Sequence, residues 1–269
     1  MASVEKIRFE KVTKTFPIRG DTKKRGLKEF TAVKDIHFTV KEGEFITLVG
    51  PSGCGKSTLL DLLGGLTKPS SGRILIDGKE ISGPGLDRGT VFQQYALFPW
   101  KTARGNIEFG LEAKGVPKQE WKQLGDYYLD LVGLKNFADR YPHELSGGMK
   151  QRVAIARSLA FNPDVLLLDE PFAALDAQTR ETLQTELLRI WEKTGKTIIF
   201  ITHGIDEAVY LGQRVVILTA NPGSVKKIVD IPLTNRLEAA DIHANPEFVK
   251  ARHEVWNLLH EQEFVGANI

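Results

Sequence analysis

The sequence predicts an α/β fold in which short parallel strands lie buried between helices, and three observations predict it. The apolar runs at residues 165–168, 197–201 and 215–218 are too short for helices and do not alternate, which suits parallel strands covered on both faces. Helical stretches such as residues 180–193 separate them, as a layered α/β core requires. The strand-like FITLV at residues 45–49 runs straight into glycines and then a helix pattern at residues 56–63, the strand, loop and helix order of a phosphate-binding loop. A chain of 269 residues, 42% hydrophobic, is long enough for one sizeable core or two small ones.

In order along the chain, KIRFEKV (residues 6–12) and HFTV (residues 37–40) read as strands, and the charged IRGDTKKRGLKE at residues 18–29 reads as a surface hairpin or loop between them. Residues 88–92 are strand-like. From residue 98 to residue 161 the pattern turns helical, with helices predicted at 103–113 and 118–132. LSGGMKQR (residues 145–152) opens a further helix, because Met149, Val153, Ala156 and Leu159 recur at helical spacing. After the NPG at residues 221–223 come a last strand at 225–231 and a helix at 246–260; no internal repeat, heptad pattern or low-complexity tract interrupts the series.

Composition excludes several classes. Lys and Arg total 36 against 34 Asp and Glu, and a net charge of +2 gives no basic field for nucleic acid, so no nucleic-acid partner is expected. No apolar run approaches the ~20 residues of a spanning helix. The amino terminus MASVEKIRFE has no apolar signal core and Cys54 is the only cysteine, so no disulfide forms within the chain and the cytoplasm is the expected compartment.

The residues themselves carry chemistry at three places. In GPSGCGKST, Gly50, Gly53 and Gly55 allow the tight turns that point successive N–H groups, those of Ser52 and Cys54 after Pro51 included, toward a β-phosphate. Lys56 then reaches the β- and γ-phosphates of ATP, and Ser57, with Thr58 beside it, offers a hydroxyl to Mg²⁺. Asp169 and Glu170 emerge at the carboxyl end of a buried strand, where Asp169 suits the Mg²⁺ shell and Glu170 suits the water that attacks the γ-phosphate. Ser146 is a good helix cap, and Gly147 and Gly148 leave bare N–H groups that could approach a phosphate.

In sequence order, GPSGCGKST, VFQQ (residues 91–94), LSGGMKQR, LLLDEP (residues 166–171) and TH at Thr202 and His203 resemble the ATP-binding-cassette family over nearly the whole chain, and LSGGMKQR is the string that restricts the reading to it. The resemblance implies an ABC-type P-loop NTPase with a RecA-like core, an N-terminal antiparallel β subdomain and an inserted α-helical subdomain at about residues 98–161. It implies an ATPase domain over residues 1–235 and a short C-terminal helical extension over residues 236–269. In that family the Ser146, Gly147 and Gly148 segment caps the γ-phosphate held by the opposite subunit, so an ATP-sandwich dimer is expected. One copy of each motif is present, and a second ATPase subunit, identical or different, supplies the other half. Gln93 matches the family's glutamine loop, which touches Mg²⁺. His203 matches the histidine that contacts the γ-phosphate and orients Glu170 and water, and Asp176, in FAALD, matches the loop that couples the two sites. The catalytic set is thus Glu170, His203, Lys56 and Gln93; the metal set is Ser57, Gln93 and Asp169. Phe16 is the candidate to stack on adenine, with Phe30 as competitor. Gly204 and Ala173 depart from the usual acidic residue and Ser without removing a ligand.

Phe98, Pro99 and Trp100 in LFPW suit a partner pocket, and in the importer ATPases that this chain resembles that surface receives a cytoplasmic helix of the membrane permease. GPGLDRGTVFQ, LFPW and NPGSVKKIVDIP resemble the nitrate, sulfonate and taurine importer branch. The implied assembly is two ATPase subunits on integral membrane permease subunits, peripheral at the cytoplasmic face of the inner membrane and fed by a solute-binding protein. The alternatives are a soluble, non-transport cassette protein acting as a regulatory switch, and a nucleotide-binding assembly factor without turnover.

Overall fold

The structure is a computed structural model, and it describes residues 4–18, 28–238 and 241–261. In chain order these form β1 (Glu5–Ile18), β2 (Lys28–Lys41), β3 (Phe45–Val49), α1 (Lys56–Leu63), β4 (Ser71–Ile76), β5 (Lys79–Glu80) and β6 (Arg88–Val91). They continue with α2 (Ala103–Lys114), α3 (Lys118–Leu131), α4 (Gly147–Ala160), β7 (Val165–Asp169), α5 (Ala177–Thr194) and β8 (Thr197–Ile201). Last come α6 (Ile205–Leu211), β9 (Arg214–Leu218), β10 (Val225–Asp230) and α7 (Pro246–His260). The chain divides into two compact units, one formed by Met1–Pro84 with His203–Ile269 and the other by Gly85–Thr202.

In the first unit, β2, β1, β4 and β5 make an antiparallel sheet in that order. It buries Ile7, Phe9, Val12, Val33, Ile36 and Val40, and stacks Phe9 on Phe38 at 4.5 Å. Both long strands outrun the segments their sequence suggests. Lys11 (φ 48°) and Asp35 (φ 51°) take left-handed backbone where the register shifts, so bulges break the alternation that would mark one continuous strand. The strands remain paired out to Ile18 opposite Lys28; the rest of the expected hairpin or loop, residues 19–27, lies outside the described residues.

Strand β3 is wholly buried and pairs in parallel with β9, which pairs antiparallel with β10. Buried Thr47 donates its hydroxyl to Ala208 O (3.1 Å), which fixes α6 against β3. The Arg236 guanidinium satisfies the last carbonyls of α6, with bonds to Leu211 O (2.7 Å) and Gly212 O (2.8 Å). On α7, Phe248, Ala251 and Val255 are buried at helical spacing, and Asn245 caps its start ahead of Pro246.

In the second unit, β6, β7 and β8 pair in parallel, with Val91 opposite Leu168 and Asp169 opposite Ile201. Val165, Leu166, Leu167 and Leu168 are all fully buried, as a strand covered on both faces requires. Helix α4 is central: Val153, Ala154, Ile155, Ala156, Leu159 and Ala160 are buried. A side chain at Gly110 of α2 would put Cβ 2.6 Å from Arg157 O, so α2 and α4 touch through their backbones there. Fully buried Asn106 ties the turn before α2, accepting from Phe98 N–H (2.8 Å) and donating to the carbonyls of Phe98, Lys101 and Thr102. Strands β4 and β5 and helix α6 are elements the sequence reading does not contain.

Candidate functional site

The phosphate-loop residues follow β3 directly. Gly55 caps α1 in left-handed backbone (φ 89°), and a Cβ there would stand 2.4 Å from Val33 Cγ1 and 2.9 Å from Ala32 O, so both conformation and space demand glycine. Pro51, Ser52, Gly53 and Ser57 are exposed, and Thr58 is half-buried. The Lys56 ammonium is buried and donates to Gly50 O (2.9 Å), Pro51 O (3.2 Å) and Cys54 Sγ (3.7 Å). None of these acceptors is a carboxylate. A buried cation surrounded by neutral acceptors favours an anion alongside it, and the loop fits a phosphate on that ground.

Cys54 sits differently from the other loop residues. Its side chain is fully buried beneath the loop and its N–H donates to Pro51 O (3.3 Å), so both its thiol and its amide are turned to the loop's interior. Burial raises the thiol's pKa, with Lys56 pulling the other way.

Sequence reasoning missed what supports this loop from the side. A Cβ on Gly223 would lie 1.9 Å from Cys54 O; Gly223 N–H donates to Ala32 O (3.0 Å) and its carbonyl accepts from Lys34 N–H (2.8 Å). Thr219 Oγ1 closes the same turn by accepting from Ser224 N–H (3.0 Å), and Ser224 Oγ donates to Lys34 O (3.1 Å). The turn between β9 and β10 is thus a backing plate for the phosphate loop. Its only sequence signal was NPG, which says turn and nothing of what the turn touches.

In the second unit, Asp169 ends β7 half-buried and Glu170 follows in left-handed backbone (φ 45°). A non-glycine residue held there is sterically costly and persists where the surroundings determine it. Here Glu170 N–H donates to Ile201 O (3.0 Å) and Glu170 O accepts from Ala173 N–H (3.2 Å), which fixes its backbone at the end of β7.

Ser146 caps α4 by accepting from Met149 N–H (3.3 Å). Gly148 has a packing reason to be glycine, because a Cβ would meet Thr179 Cγ2 at 2.7 Å; at Gly147 it would meet Leu175 Cδ2 and the Tyr95 hydroxyl, each at 3.2 Å. The start of α4, the turn that follows Glu170 and the loop that carries Gln93 therefore converge. Asp176 serves as the cap of α5, accepting from Thr179 N–H (2.9 Å), and that backbone bond holds its carboxyl below the usual range.

Gln93 is exposed just past β6, and His203 is exposed two residues past β8. Phe16 pairs with Phe30 across β1 and β2, and both rings are partly exposed, at 38% and 42%. Directly paired residues share a face of the sheet. The structure therefore sets the two adenine-stacking candidates side by side, with the Lys14 ammonium 5.1 Å from the Phe16 ring centre.

Residues 33–173 match the family described as ABC transporter. The chain is 51% identical over 257 residues to an uncharacterised ABC transporter ATP-binding protein of Methanocaldococcus jannaschii, covering 96% of this chain and 92% of that one. It is 50% identical over 245 residues to the nitrate import ATP-binding protein NrtD of Synechocystis sp., covering 89% of this chain and 91% of that one. Among solved structures, a dimeric ATP-binding cassette in a post-hydrolysis state with ADP and Pi superposes with a TM-score of 0.71 at 36% identity, over 85% of this chain and 100% of that chain.

Proposed function

The chain belongs to the ABC transporter family, and from that premise we propose that it is the ATP-hydrolysing subunit of an importer for a small solute of the nitrate, sulfonate or taurine type. The observation that carries this reading is the phosphate loop: a buried Lys56 ammonium among neutral acceptors, between an exposed loop and the start of α1. The relation to a nitrate import protein over most of both chains supports the import direction.

In this reading Lys56 holds the β- and γ-phosphates, and Phe16 stacks on adenine. Ser57, Gln93 and Asp169 would hold Mg²⁺, which when bound neutralises phosphate charge. Among the described residues no three or more His, Cys, Asp or Glu side chains stand together as a metal cluster. That donor set of one hydroxyl, one amide and one carboxylate matches how Mg²⁺ sits on nucleotide phosphates. Glu170 takes the hydrogen bond and proton of the attacking water, and His203 orients it. Ser146, Gly147 and Gly148 act on the nucleotide of a second subunit. We assign residues 1–235 to the ATPase domain, with its helical subdomain at 98–161, and residues 236–269 to an extension.

No helix among the described residues is long and apolar enough to cross a membrane; in the proposed complex the path across belongs to permease subunits. Trp100 is 70% exposed and Phe109 41%, with Phe98 packed between them at 5.4 Å and 4.7 Å. This aromatic patch is the proposed seat of the permease.

Steady-state hydrolysis by the purified chain tests the reading. It predicts Mg²⁺-dependent ATP turnover whose specific activity rises with protein concentration, because each site needs two chains. Turnover strictly proportional to protein would count against the sandwich dimer, and no turnover at any concentration would leave a nucleotide-binding assembly factor.

A further inference from the structure

The Arg157 side chain is the one basic group of α4 turned toward the loop that carries Gln93, and nothing in the catalytic reading uses it. Its Nη1 donates to Ala96 O (2.7 Å) and its Nη2 to Tyr95 O (3.2 Å), while its guanidinium lies 5.6 Å from the Phe98 ring centre. The two carbonyls belong to consecutive left-handed residues, Tyr95 (φ 56°) and Ala96 (φ 47°). Such backbone is unfavourable for residues other than glycine, and something must hold it. A planar two-pronged donor suits a pair of adjacent carbonyls; a lysine ammonium does not present that fork.

The next residue of α4 acts on the other side of Gln93. Ser158 Oγ donates to Thr90 O (3.2 Å), in β6. Near the helix start, the Tyr95 hydroxyl faces the position of a Gly147 Cβ. Gln93 is therefore carried on a short segment fastened to α4 before it, at Thr90, and after it, at Tyr95 and Ala96.

We propose that Arg157 is the positioning residue for Gln93: by gripping the carbonyls of Tyr95 and Ala96 it sets where Gln93 stands relative to α4 and the Ser146 cap. A shift of α4 is thereby passed to Gln93. The proposal rests on the reading of Gln93 as a Mg²⁺ contact, and the experiment separates the two.

The full-length chain is compared with Arg157→Lys, Gln93→Ala and the double variant. The Mg²⁺ concentration that half-saturates ATP hydrolysis is measured in each, together with ATP binding in EDTA. Arg157→Lys is expected to raise the Mg²⁺ requirement roughly fivefold, the weight of about one hydrogen bond, with binding in EDTA unchanged. In the Gln93→Ala background the same substitution is expected to add nothing, as coupled residues behave in such a cycle. Arg157→Gln, which keeps one amide donor, is run alongside so that a folding failure of the lysine variant does not decide the question. Equal shifts in both backgrounds overturn the proposal and leave Gln93 in its role. A Mg²⁺ requirement untouched by Gln93→Ala overturns it at its base, because Gln93 then has nothing that needs positioning.

Discussion

Glu170→Gln leaves ATP affinity unchanged, lowers turnover by roughly 10²- to 10⁴-fold, the range for removing a positioned general base, and lets an ATP-bound dimer accumulate. The substitution is close to isosteric. It keeps an oxygen that can orient water but removes the group that takes the proton. The unusual backbone at Glu170 is fixed by main-chain bonds to Ile201 and Ala173, which the side-chain change does not touch. The loss should therefore be chemical and not conformational. Single-turnover hydrolysis and size-exclusion chromatography with ATP or ADP check it together: the variant should elute as a dimer with ATP and as a monomer with ADP. Rapid hydrolysis by the variant would remove Glu170 from its role.

Lys56→Ala has the second large effect, and it falls on binding. Charge-assisted hydrogen bonds contribute about 1.5–3 kcal/mol each, so ATP affinity should drop roughly 10- to 150-fold and hydrolysis at ordinary ATP concentrations should vanish. The three present acceptors of the ammonium are loop carbonyls and a thiol, all uncharged. An incoming phosphate is then its first fully charged partner, which is why the affinity depends on it. Equilibrium titration with a fluorescent ATP analogue measures the loss, and thermal melting of the nucleotide-free protein shows whether the fold survives. Unchanged affinity in a folded variant would contradict the phosphate-loop assignment.

The parts of the fold that were legible are those with a signal close by in sequence. Helix α1 occupies Lys56–Leu63 and α7 occupies Pro246–His260, as their patterns predict. One starts from a tight left-handed position that glycine satisfies, and the other from an Asn cap followed by proline. Strands β7 and β8 announced themselves as apolar runs because both faces are covered. By contrast β4 exposes Ser71, Gly72 and Arg73 before its apolar end, so half its length carries no strand pattern. The lengths of β1 and β2 were hidden by the bulges at Lys11 and Asp35, which reset the alternation.

Within the candidate site, the sequence names candidate residues but not the contacts that support them. Lys56, Glu170 and Ser146 are candidates from motif spacing alone, but the burial of Cys54, the Gly223 backing of its carbonyl and the Arg157 grip on Tyr95 and Ala96 join residues far apart in sequence. Gly148 carries a packing reason that no local signal shows, because Thr179 already fills the space a Cβ would need.

The central claim is that this ATPase works on a membrane permease. The most direct measurement is to capture tagged Glu170→Gln protein from native membranes in the presence of ATP and identify by mass spectrometry what comes with it. The account predicts a multi-span permease, retained with ATP and lost when Trp100 on the exposed aromatic patch is changed to Glu. Ribosomal or DNA-bound partners with no membrane protein would contradict it and place the chain among the soluble cassette switches.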